Sequence, residues 1–127
     1  MSKEPTAVLL AAEIIKWLIP KVGQFPRHVR FGLGMRLEQA HIMCFEQLLY
    51  AQYSHGRDRL RALGQANLDL QVGRHLGRLA FELGHFTRRE ALHLAAMQVD
   101  LGKQVGGWRK SLENMVSSSA DSVIQNT

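Results

Sequence analysis

Apolar positions along this chain recur at steps of three and four, with no alternating stretch, so the pattern predicts helices throughout. The first helix is predicted to start near Pro5 or Thr6 and run to about Val22. Val8, Ala11, Ile15, Leu18 and Val22 lie on its inner side, with Ile14 and Trp17 beside them. Pro20 frees one carbonyl and bends the last turn without ending the helix, and Gly23 and Pro26 bracket the break. A second helix opens at Pro26, whose missing N–H has no helical partner in a first turn, and runs to about Ser54. Its predicted seam is Leu33, Leu37, Ala40, Cys44, Leu48 and Ala51, and residues 55–58 form the next turn.

The third helix is expected over Asp58 to Leu83, with Leu68, Val72, Leu76, Leu79 and Leu83 inward and Asn67, Gln71, Arg74, Arg78 and Glu82 on its polar face. Gly84 stops it. Thr87 and Glu90 then have the spacing of a capping box, the clearest local signal in the chain. Behind it the fourth helix carries Leu94, Leu101, Trp108 and Met115 at steps of seven, joined by Met97, Val105 and Leu112. Four long helices with short connections predict an all-α, antiparallel up-down-up-down bundle over residues 1–116. Residues 117–127 lack a sustained apolar face and read as a disordered tail.

Glycines 73, 77, 102, 106 and 107 fall inside predicted helices, where each costs about 0.5–1 kcal/mol relative to alanine. The pairs Gly73/Gly77 and Gly102/Gly106 therefore mark close helix approach. That approach is either packing within one bundle or an oligomer interface between bundles.

Composition narrows the class. With 46% apolar and 21% charged residues in 127, the chain has the balance of one globular domain. Its one cysteine, Cys44, excludes an internal disulfide framework. The apolar N-terminal run is interrupted by Glu13 and Lys16 and is too short to span a membrane, so the expectation is a soluble, cytoplasmic protein. Net charge is +5, and eleven of the sixteen basic residues are arginine, the side chain suited to bidentate phosphate contacts.

The pattern Glu-x-x-His occurs three times, at Glu38/His41, Glu82/His85 and Glu90/His93. Two such pairs on facing helices are the core of a di-iron carboxylate site. In an antiparallel bundle, however, Glu38 lies roughly 12 Å along the axis from the other two, too far to share a metal pair. No metal or cofactor is expected. Cys44 sits in an apolar seam, where a small buried hydrophobe is expected rather than a nucleophile, and no enzyme activity is predicted. The arginines are better organised. Arg27 and Arg30 open the second helix, Arg57/Arg61 and Arg74/Arg78 are i,i+4 pairs on the third, and Arg88 and Arg89 open the fourth. These eight are the candidate nucleic-acid contacts. In the bundle, Arg27/Arg30 and Arg88/Arg89 share the end that holds the first and third turns, with His28 and His85 beside them. A solvated, partly salt-bridged cap, with Arg78 on Glu82, is the competing reading.

The run IIKWLIPKVGQFPRHVRFGL and the segment GHFTRREALHLAAMQVDLGKQVGGWRKS resemble one small bacterial four-helix-bundle family. It includes the 23S rRNA intervening-sequence proteins and the accessory variability determinant (Avd) of diversity-generating retroelements. The resemblance covers about residues 13–112. It rests on the Pro20-to-Arg27 junction and on the threonine-capped last helix carrying Gly102, Gly106 and Trp108. It implies a bundle assembled, as in the Avd branch, into a basic homopentameric ring or barrel. It also implies a non-enzymatic accessory role beside a reverse transcriptase and its structured RNA. A ring of five such subunits would carry about +25, and the field steering polyanions would grow accordingly. Only the basic character and the Pro26-Arg27 junction transfer by position. A structural or protein-interaction oligomer without direct nucleic-acid binding stays open as the alternative.

Overall fold

The computed structural model describes residues 5–125. Among them the chain forms helices and no strands. α1 is Thr6–Gly23. α2 is continuous over three stretches: α-helical Arg27–Val29, π-helical Arg30–Gly34 and α-helical Met35–Gln52. α3 is Gly56–Glu82 and α4 is Arg88–Gln125. Among the described residues each helix packs its backbone on its two neighbours around a square (α1 on α2, α2 on α3, α3 on α4, α4 on α1). The architecture is a four-helix bundle. No helix among the described residues is long and apolar enough to cross a membrane.

The α3–α4 turn closes with local chemistry. Gly84 takes φ +84°, the left-handed region that an L side chain rarely enters, and the His85 N–H reaches back to the Ala80 carbonyl at 2.9 Å. Beyond the turn the capping box is made in both directions. The Thr87 N–H donates to Glu90 Oε1 at 2.8 Å, and the Glu90 N–H donates to Thr87 Oγ1 at 3.1 Å. The Glu90 carboxylate also takes Lys21 Nζ of α1 at 3.1 Å, so one side chain caps α4 and ties it to α1. The backbone N–H of Thr87 and Lys21 together hold the Glu90 carboxyl below the usual range.

The two largest departures from the spacing argument are in α2 and α3. The first is the π-helical turn Arg30–Gly34, which the pattern does not signal. A side chain on Gly34 would place its first carbon 2.7 Å from Val22 Cγ1, so α2 crosses the end of α1 only because that position is bare. The second is the rotation of α3. Of its five expected inward residues, Leu68, Val72, Leu79 and Leu83 are exposed, Leu83 by 64%, and Leu76 is half-buried. The buried face is Ala62, Leu63, Ala66, Asp69, Leu70, Gly73, Gly77 and Ala80. Small residues line it because α3 lies tight against its neighbours. In α1 the correction is smaller: Ile14, not Ile15, is at the centre of the core. The α2 seam from Leu37 to Ala51 is buried as expected, with Leu33 at its margin. α4 buries Leu94, Leu101, Val105 and Leu112 but leaves Met115 exposed. Its backbone stays helical to Gln125, past the point where the apolar pattern fades, and residues 126 and 127 lie outside the described part.

Three of the four paired glycines have neighbours within the bundle. Gly73 and Gly77 are buried within the bundle, against His41 and Leu94 respectively, and Gly102 faces Leu70. These three pack against residues of the chain's own bundle. Gly106 alone of the four is exposed, with nothing near its missing side chain.

Candidate anion-contacting surface

Aromatic packing brings the first and third turns to one end of the bundle. Phe25, just after α1, stacks edge-on against Phe86 at 5.1 Å and lies 5.5 Å from the His85 ring, while Trp17 meets Phe86 at 5.9 Å. Arg27 and Arg30 on α2 thus share that end with Arg88 and Arg89 on α4. Arg27 and Arg30 both lie over the exposed Phe31 ring, at 6.0 and 5.1 Å, and Arg30 also donates to the Gly23 carbonyl at 3.3 Å, closing the C-terminus of α1. Among the described residues none of these four arginines has an acidic partner within 4 Å.

The other four candidates divide. Arg74 and Arg78 lie along the groove between α3 and α4, with Arg88 at its end. Arg78 holds Glu82 at 3.0 Å, and Arg74 donates to Gln71 Oε1 at 3.5 Å. Arg57 and Arg61 are in the first turns of α3, at the opposite end of the bundle. From Arg57 to Arg78 is roughly 32 Å of helix, so the eight do not form one patch. Arg59, outside the eight candidates, has a structural task. It donates to the carbonyls of Ala51 and Gln52 at 2.8 and 3.2 Å, closing the end of α2, and stacks on Trp108.

The Glu-x-x-His residues are held in separate bonds. Glu82 is with Arg78, Glu90 with Thr87 and Lys21, and the His93 ring stacks on Trp17 at 5.2 Å. Among the described residues, no three His, Cys, Asp or Glu gather as metal ligands would. Cys44 is buried, and its thiol is pushed up to about 12 by burial first and the Asp69 charge second, so it stays protonated at neutral pH.

The bundle also holds a buried polar centre that local sequence pattern does not signal. His41 is 2% exposed, and its Nδ1 lies 2.9 Å from the Leu37 carbonyl. A carbonyl only accepts, so Nδ1 carries the proton and Nε2 accepts from Gln98 Nε2 of α4 at 3.0 Å. The ring fills the space that Gly73 leaves open on α3. One imidazole thus joins three helices. The only trace in the sequence is a histidine on the apolar side of α2, opposite a glycine in α3.

Burial lowers the His41 pKa, against a smaller opposing effect of the Leu37 bond. The folded state therefore favours neutral imidazole, and its stabilisation is complete above the unfolded histidine range, near pH 6.5. As pH falls below that range the unfolded chain takes up the proton first, and stability declines towards the lowered folded pKa. Glu38 and Asp69, raised by burial, act in the opposite sense. The expected result is a melting temperature that drops from pH 7 to pH 5, with a shallower dependence in His41→Gln. Equal pH slopes for the two proteins would remove His41 as the cause. Compared with known proteins, the chain matches no family model and no curated protein.

Proposed function

We propose that this protein is a non-enzymatic, basic helical-bundle accessory protein that binds structured RNA through phosphate contacts. The observation that carries the reading is the convergence of Arg27, Arg30, Arg88 and Arg89 on one end, without acidic partners among the described residues. Guanidinium groups left open in this way neutralise phosphates and release counterions. With few exposed aromatic rings beside them, contacts to bases are sparse, so recognition follows the shape and charge of the RNA. The resemblance to the accessory variability determinants adds a candidate setting, a retroelement reverse transcriptase and its template RNA.

Self-association belongs to the same proposal. Leu68, Val72, Leu79 and Leu83 form an outward stripe at steps of four, seven and four, and a stripe of large side chains on a helix is a surface that gains by being covered. A ring, the homopentamer of the resembling family, would repeat the arginine end around one rim. The same stripe also favours the second reading, an assembly scaffold that binds protein and no RNA.

Titration of a structured RNA hairpin at several salt concentrations tests the proposal. Four phosphate contacts per subunit predict a log–log salt slope of about −4. Replacing Arg27, Arg30, Arg88 and Arg89 by alanine should flatten most of it. Absence of binding at low salt by folded protein would leave the scaffold reading.

A further inference from the structure

Between α3 and α4, near the end where Arg88 begins α4, runs an open groove of about 540 Å³. It exists because the facing residues are small. Gly77 on α3 and Ala91 and Ala95 on α4 keep the floor low, and Leu94 underlies it, so close to Gly77 that a side-chain carbon there would meet Leu94 at 3.1 Å. At its margins Phe81 is 38% and Leu92 61% exposed. Above this apolar trough stand three guanidinium groups, Arg74 and Arg78 from one wall and Arg88 from the other.

The geometry points to a docking site for an acidic amphipathic helix of a partner protein. Along α4 the groove extends from Arg88 to Gln98, roughly 15 Å, which accommodates about three turns of helix. Aliphatic side chains at i, i+3 or i+4, and i+7 of that helix would sit on the Gly77–Ala91–Ala95 floor. Glutamates or aspartates flanking them would meet Arg74, Arg78 and Arg88. The apolar floor decides between partners. Phosphates need only the guanidinium groups and gain nothing from Leu94, Ala95 or Leu92, whereas an amphipathic helix uses both the floor and the rim. Arg78 exchanges an exposed contact with Glu82 for one with the partner, so the exchange is close to neutral. This inference is independent of RNA binding and concerns a different part of the surface, with Arg88 alone at the boundary.

The test uses a fluorescein-labelled peptide of about fourteen residues, with leucines along one helical face and glutamates elsewhere, added to RNA-free protein. A permuted peptide of identical composition, which destroys the face, is the control. Ala95→Trp fills the groove from an exposed position, and Arg74→Glu with Arg78→Glu reverses its rim. The expected result is at least tenfold tighter binding of the patterned peptide than of the permuted one, lost in A95W and in the double reversal. A lysine version of the peptide should bind the double reversal in its place. Equal binding of the two peptides, or full binding by folded A95W, overturns the inference. So does an A95W protein that loses RNA binding and keeps the peptide, which would make the groove an RNA surface.

Discussion

Gly73→Ala should lower the melting temperature by about 10 °C, although alanine is the better helix former. The intrinsic gain is about 1 kcal/mol. Against it stands the His41 ring, whose Cε1 and Nε2 would lie 2.6 and 2.8 Å from the new methyl group. A long exposed side chain would swing aside, but this ring is enclosed and held at both nitrogens. Shifting it strains the core by about 1–3 kcal/mol and loosens two buried hydrogen bonds worth about 1–3 kcal/mol each if left unmade. The net loss of about 3 kcal/mol corresponds to about 3 °C per kcal/mol in a domain of this size. Gly106→Ala is the matched control: it is exposed and meets nothing within 4 Å, so it should gain about 0.5–1 kcal/mol. Urea melts of the two variants give the comparison, and a G73A protein as stable as the parent would mean that His41 is free to move.

Two leucines on α3, two residues apart, should differ as strongly. Leu70 is fully buried and Leu68 is 56% exposed. Leu70→Ala removes a core side chain and leaves a cavity between tightly packed helices, for an expected loss of about 3–5 kcal/mol. Leu68→Ala should change the stability of an isolated subunit by less than about 0.5 kcal/mol. Under the proposed self-association its effect should appear instead in the mass measured in solution, since it shortens the outward stripe. Similar losses in dilute protein would mean that α3 is rotated from the orientation described here.

That pair also shows where the sequence misleads. Leucines are the strongest apolar signal in α3, and spacing alone puts Leu68, Val72 and Leu79 in the core. The actual inner face is read only by giving weight to Ala62, Ala66, Gly73, Gly77 and Ala80, which bury little area each but let neighbouring helices come close. Where large side chains coincide with the inner face, as at Leu37, Leu48, Leu94 and Leu101, periodicity succeeds. The capping box and the glycine stop were legible because each depends on residues within a few positions of one another. The shared end of Arg27, Arg30, Arg88 and Arg89 followed from antiparallel topology. The α3–α4 groove did not, because it is made by what two distant segments lack. Nor did the link from His41 to Gln98, which are 57 positions apart.

The small inner face of α3 has a calorimetric consequence. Heat-capacity change on unfolding tracks newly exposed apolar area, at about 12–15 cal/mol/K per residue in ordinary domains. A helix that turns only Leu63 and Leu70 inward among its fully buried large side chains, beside alanines and glycines, and leaves Leu68, Leu79 and Leu83 outward has already exposed much of that area while folded. The isolated subunit should therefore fall below this range and have a flat stability curve, with a low denaturant slope to match. Association through the leucine stripe would restore the missing increment, making both the heat capacity and the melting point rise with protein concentration.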